Sequence, residues 1–313
     1  MWLDGNENIT ESGGFISSWG DRSGNNIDLN QSVGEDRPTL ITNASIPPTI
    51  SFNGTSSFLR SSADVGILNS TPFMVYAVVK NKSTSTDGDY LFDSDDPDTT
   101  TPQLHRALVS LSRNGKAHQY AGSWVNSNIA LSEDSFHLIT ASFNGATSFI
   151  GVDGVYGATA NAGIQTLTDG ITLGTNHKNT LYFLDGEIGE FIIINALDTL
   201  ADRERMEGYL AHKWDLASAL PSSHPYKTNA PQQYPITIRD LEDFRDNNPA
   251  GTQLDCQPGD IFRCIDNFLV VFLPTQPNLF ANTERDNNDT FSGDFMEAHG
   301  WFNWYPDPTT QSI

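Results

Sequence analysis

Three groups of residues in this sequence have types and spacings that chemistry could use. The first is the stretch DGDYLFDSDDPD, which sets six carboxylates, Asp87, Asp89, Asp93, Asp95, Asp96 and Asp98, within one short span. Oxygen-only ligands on a loop suit Ca²⁺, which takes roughly six to eight oxygens. The spacing is not that of an EF-hand, because glycine and the closing Glu are missing from their offsets. An exposed acidic loop between strands is the simpler reading, and a calcium site is its alternative. The second group is Asp185-x-Glu187-x-x-Glu190. Two neighbouring carboxylates can act as nucleophile and acid/base in a retaining glycosidase. In an unbulged strand, though, Asp185 and Glu187 share a face and Glu190 points away. The third group is Trp124 with Tyr120, Asn126 and Asn128, which offers a ring for stacking and amides for hydrogen bonding, as sugar sites do. A single aromatic of this kind more often serves packing.

The remaining reactive side chains form no recognisable constellation. His105, His118, His137, His177, His212, His224 and His299 stand at no metal-ligand spacing, and neither a Gly-x-Ser-x-Gly elbow nor a phosphate-binding glycine loop accompanies them. Cys256 and Cys264 could close a short disulfide or remain two buried thiols. With 39 acidic against 17 basic side chains, the formal charge of −22 argues against nucleic acid and anionic lipid as partners. No apolar run approaches the length of a membrane span, and the opening residues lack a secretory leader.

The elements that must position these residues are mostly strands. Residues 72–80 form a strong apolar run, and Ala107–Ser112, His118–Ser123, Phe136–Phe143, Thr147–Val152 and Ile171–Gly174 follow it. Asn114-Gly115, Asn144-Gly145 and Asp153-Gly154 between such runs are hairpin signals. Phe191–Ile194 closes the series as a buried strand. A helix follows, capped by Asp198 or Thr199 with Asp202 three residues beyond. Met206, Leu210 and Trp214 line its apolar side, while Arg203, Glu204, Arg205 and Glu207 are expected to face water. Pro221 and Pro225 end it. Many short strands with one late helix predict an all-β fold, a two-sheet antiparallel β-sandwich or jelly roll. Beyond Lys227 the composition changes. Residues 229–313 are expected to be a small C-terminal extension that serves assembly or docking, and 234–313 carry 13 acidic and four basic side chains.

One set of motifs carries a resemblance. Asp185-Gly186-x-Ile188-x-Glu190, then EGYLAHKW at 207–214 and HPYK at 224–227, resemble the end of concanavalin A-like lectin/glucanase domains of the laminin-G-like jelly-roll type. Trp2-Leu3-Asp4, WGDRSGNN at 19–26 and Ile50–Gly54 followed by Phe58-Leu59 resemble its opening, in order, over residues 1–228. The glucanases of that superfamily carry Glu-x-Asp-x-x-Glu, whose first two residues are swapped here. Its non-catalytic relatives share this strand with a structural last Glu. The resemblance implies core positions for Trp2 and Trp19, a structural role for His137, and a glycan-binding type of fold. The expectation drawn from it is a non-enzymatic structural or adhesion protein of an extracellular assembly, a bacteriophage virion above all. It would be made in a cytoplasm and would associate with its own copies, other virion proteins or cell-surface glycan. The alternatives are a stand-alone calcium-dependent lectin and a β-glucanase.

Overall fold

The computed structural model describes residues 1–61, 71–82, 88–94, 107–165 and 170–231, and the backbone of strands Ile261–Ile265 and Phe268–Val271. The chain divides into two compact units, Met1–Ala230 and Pro231–Ile313. The first unit opens with β1 (Trp2–Asp4), β2 (Ile9–Ser12), β3 (Phe15–Trp19), β4 (Leu29–Asn30), β5 (Thr39–Ile41) and β6 (Thr49–Asn53). It continues through β7 (Leu59–Ser61), β8 (Phe73–Asn81), β9 (Tyr90–Ser94), β10 (Leu108–Ser110), β11 (Lys116–Tyr120) and β12 (Trp124–Ala130). The last strands are β13 (Phe136–Phe143), β14 (Phe149–Val152), β15 (Val155–Tyr156), β16 (Ile171–Leu173) and β17 (Asp185–Ile194), before the helix α1 (Leu200–Lys213).

Pairing sorts the strands into two antiparallel layers, and the expected all-β sandwich with one late helix holds. One layer runs β15–β14–β13–β8–β17, with β6 and β1 sharing the far side of β17. The other runs β12–β11–β10–β9–β16–β7–β4–β3–β2. β5 pairs with both β3 and β6, so the layers join at one edge. In the second unit β18 (Ile261–Ile265) pairs antiparallel with β19 (Phe268–Val271), which accounts for most of the expected strand at 268–273.

The alternation along β8 shows where each face goes. Phe73, Val75, Ala77 and Val79 enter the core between the layers, while Met74, Tyr76 and Val78 meet Leu210 and Trp214 under α1. Side chains of period two make this a strand buried on both faces, hence its unbroken apolar run. In the central core, Phe143 stacks on Phe73 at 4.4 Å, and Phe92 from the opposite layer meets Phe191 edge-on at 5.5 Å. Trp19 is fully buried there. Trp2 is only partly buried and lies on the helix side. The α1 cap is Thr199, whose Oγ1 accepts from the Asp202 N–H at 3.2 Å and donates to its carboxylate at 2.6 Å. The first bond is the N-cap half of a capping box; the second takes the Thr199 hydroxyl where a full box would take its backbone N–H.

Two expectations are corrected. Glu207 does not face water: it is fully buried, accepting hydrogen bonds from Thr140 Oγ1 at 2.7 Å and from the Tyr156 hydroxyl, with His224 Nε2 at 3.4 Å. It stands three residues before Leu210, on the same helix face, so the apolar stripe contains a carboxylate. The second concerns β17, where the register shifts between Ile188 and Glu190. Gly189 is the extra residue of a β-bulge. Past it the alternation inverts, so Glu190 shares the helix-side face with Glu187 instead of pointing away.

The bulge also admits Trp214. A Cβ on Gly189 would lie 2.5 Å from the Trp214 ring. Gly189→Ala should therefore destabilise the domain by about 1–3 kcal/mol through overpacking, read as a lower urea midpoint at unchanged slope.

Candidate binding face

The carboxylates singled out by sequence are held by different partners. Glu190, fully buried, accepts from Trp2 Nε1 at 2.7 Å and Trp214 Nε1 at 2.8 Å, and pairs with Lys213 Nζ at 2.8 Å. Lys213 also reaches Asp4 at 2.6 Å, and Arg22 closes on Asp4 at 2.8 Å while lying over the Trp2 ring. Burial alone would lower the Lys213 pKa, but Glu190, Tyr209 and Asp4 together raise it, so the ammonium stays charged. Glu187 accepts from Thr49 Oγ1 at 2.8 Å and pairs with Lys80 at 2.7 Å and Lys82 at 3.0 Å. Both carboxylates are occupied structural anions under or beside α1. Neither presents a free oxygen to a glycosidic bond.

Ser132, His137 and Asp153 form a hydroxyl–imidazole–carboxylate chain, with contacts of 2.8 Å at Nε2 and 2.7 Å at Nδ1. This is the order of a nucleophile triad. Here the Ser132 backbone N–H also donates to Nε2, at 3.2 Å, and Asp153 Oδ1 accepts from the Leu138 N–H at 2.8 Å. Backbone donors at both ends make the array a clamp that ties the β12–β13 loop to the β14–β15 turn. That agrees with the structural role implied for His137.

The outer face of the second layer is different. The strand registers place Arg60, Thr172, Asp93, Leu108, Tyr120 and Trp124 opposite one another in a single cross-strand row. At roughly 4.8 Å per strand the row spans about 24 Å. Its middle is buried: Asp93, fully enclosed, accepts from the His177 backbone N–H at 3.0 Å and contacts its ring at 3.2 Å. Arg60 donates to Thr172 Oγ1 at 3.1 Å and Asn179 Oδ1 at 2.8 Å, and to the His177 carbonyl. Its far end is partly open. Tyr120 and Trp124 sit side by side with ring centroids 5.1 Å apart. Trp124 stands level with Tyr120, yet Arg113 from the β10–β11 turn lies 4.4 Å from its ring centroid. The indole thus leans along the sheet over His118, which meets it edge-on at 6.1 Å. Exposed Asn126 lies opposite His118, and its side chain accepts from the Asn128 N–H at 3.0 Å. Asn128 in turn accepts from Lys116 Nζ at 2.9 Å. The aromatic and amide residues expected to form a sugar site are therefore brought together, and Arg113, Lys116 and His118 join them. Strand β12 was missing from the sequence reading, because its polar outward residues carry no apolar alternation.

Of the six loop aspartates, Asp87, Asp95, Asp96 and Asp98 lie outside the described residues. So do Cys256, His105, His299 and the aromatic run at 301–305. Asp89 accepts from Ser112 Oγ at 3.2 Å. Along β9 it lies about 13 Å from Asp93, too far for both to hold one ion. Among the described residues no group of three or more His, Cys, Asp or Glu side chains is placed to hold a metal. No helix of the described residues is long and apolar enough to cross a membrane.

No known family and no curated protein matches the chain. Solved structures do match it. Trypanosoma rangeli sialidase in complex with sialic acid aligns at TM-score 0.44 and 12% identity, over 64% of this chain and 31% of that one. Domain 4 of AbnA, a GH43 extracellular arabinanase from Geobacillus stearothermophilus, in complex with arabinotriose, aligns at 0.41 and 18%, over 61% and 89%. The binding domain of Paraclostridial Mosquitocidal Protein 1 aligns at 0.47 and 14%, over 64% and 51%. The chain thus spans less than a third of the sialidase. The expectation of a non-enzymatic protein is withdrawn on these matches, since a sialidase and an arabinanase are enzymes. Likeness of this degree assigns no reaction or ligand to the chain.

The Glu187 site sets an acid limb. Burial raises its pKa, but hydrogen bonds from Lys80, Thr49 and Lys82 outweigh this and hold it below the ordinary 4.5. A depressed folded pKa contributes stability that is complete above the unfolded value and is lost as pH falls through the folded one. Glu187→Gln should therefore flatten the loss of unfolding free energy between about pH 5 and pH 3, followed by urea titration.

Proposed function

We propose that residues 1–230 form a carbohydrate-binding β-sandwich of the laminin-G-like type, with its ligand on the β11–β12 end of the outer sheet face. The observation that carries this reading is the partly open Trp124–Tyr120 pair, with exposed Asn126 on the neighbouring row. Sugar rings offer apolar C–H faces to an aromatic surface and hydroxyls to amides, and this end of the sheet has both. Most of the row inward of Tyr120 is buried, which confines a ligand to the open end.

The setting we place it in is an extracellular assembly such as a phage virion, with copies of itself or other virion proteins as partners and cell-surface glycan as the target. The ordered motifs over residues 1–228 support the fold from which that setting is proposed. Calcium belongs to the alternative reading, a stand-alone calcium-dependent lectin, and rests on the acidic sequence stretch alone.

A glycan array with the full chain tests the reading, run with and without chelator. Trp124→Ala should weaken binding about tenfold, a loss of about 1.4 kcal/mol, with the thermal melt unchanged. Loss of binding on chelation would support the calcium-dependent alternative. Absence of glycan binding, or undiminished binding by Trp124→Ala, would remove the reading.

A further inference from the structure

The platform is cationic in a strongly acidic chain. The protein carries 39 acidic side chains, yet residues 99–132 contain none, and Arg113, Lys116 and His118 fall inside that stretch. In the structure two of them meet Trp124, Arg113 over its ring at 4.4 Å and His118 at its edge, while Lys116 stands further along β11 on the same face as His118, tethered to Asn128. No ion pair among the described residues involves Arg113 or Lys116. On the Arg113 side the neighbouring acid is Asp89, buried and bonded to Ser112, and on the Lys116 side exposed Glu133 stands three residues beyond Ala130, the register partner of Lys116. Elsewhere in this unit Arg22, Lys80, Lys82 and Lys213 are each spent on a carboxylate.

We infer that the ligand is an acidic glycan, whose sugar carboxylate is received by Arg113 and Lys116 while a ring packs on Tyr120 and the part of Trp124 that Arg113 leaves uncovered. This rests on the proposed glycan-binding reading and narrows it. A guanidinium held over an indole still has N–H groups to donate, and its fork can grip a carboxylate through two parallel hydrogen bonds. Attraction of an anion to a molecule of net charge −22 also requires a local field of opposite sign, and the acid-free stretch supplies one. The field is felt at His118, whose pKa is held below its ordinary value first by burial and then by Arg113 and Lys116, against the pull of the Lys116 carbonyl. The imidazole thus remains a neutral hydrogen-bonding group at pH 7.

Titration calorimetry of the full chain with an oligogalacturonate and with its methyl ester separates charge from shape, because the ester keeps the sugar skeleton and removes the anion. The acid should bind at least tenfold more tightly than the ester, and rising NaCl should erode that difference. Arg113→Ala should cost about tenfold against the acid and leave the ester unchanged. Arg113→Lys, which keeps the charge, should recover part of the loss, and Trp124→Ala should weaken both ligands. Equal binding of acid and ester, or full affinity in an Arg113→Ala, Lys116→Ala double variant, would overturn the inference. If a neutral glycan binds and Trp124→Ala abolishes it, the glycan reading stands and the acidic specificity falls. Binding of a sulfated carrageenan oligosaccharide but not the uronate would overturn the carboxylate assignment.

Discussion

Glu190 is the constraint on which the domain depends. A carboxylate with no exposure is tolerable only if every strong donor it needs is in place. Here two indoles and an ammonium, from β1, the end of α1 and its last turn, converge on it. Those donors come from the first strand and the only α-helix among the described residues, so a single anion joins the two ends of the domain. Gly189 makes the junction possible in two ways. As the bulged residue it turns Glu190 toward the helix, and as a glycine it leaves room for the Trp214 ring.

The same logic extends along that side of the sandwich. Asp4 is shared between Arg22 and Lys213, Glu187 between Lys80 and Lys82, and Glu207 is satisfied by Thr140, Tyr156 and His224. The layer covered by α1 therefore consumes most of the basic side chains available to it. A buried ion pair seldom adds net stability over an apolar contact, but loss of one partner leaves an uncompensated charge at a cost of about 3–5 kcal/mol. These pairs fix where β1 and α1 dock more than how strongly they do so.

Much of this was legible in the sequence, and the exceptions have physical causes. The strand at 136–143, the hairpin at Asp153-Gly154 and the Thr199 cap each rest on local signals of period or turn chemistry, and each is found in the structure. The bulge was not legible, because a single extra glycine changes which way Glu190 points without altering the apolar pattern around it. Glu207 was misread since a charged side chain on a helix is ordinarily solvated, and nothing local records that Thr140 and Tyr156 wait opposite. At the candidate site the pair Tyr120 and Trp124 could be proposed from residue type alone. Their adjacency and their place in a row beginning at Arg60 depend on registers between strands far apart in sequence.

Those registers also explain why one sheet face is covered and the other is left open at its β11–β12 end. On the helix side, alternate residues of β8 and β17 are apolar or paired, and α1 covers them. On the outer face of the second layer no α-helix among the described residues lies over β11 and β12, and the outward positions are Tyr120, Trp124, His118 and Asn126. An uncovered face of ordinary solvated strands would carry short charged or hydroxyl side chains. Two aromatic rings held side by side, with a guanidinium over one of them, put apolar surface in water beside a cation that has no ion pair among the described residues. Each alone is common on a protein surface; their coincidence on the acid-free part of an acidic chain is what motivates the proposed binding face.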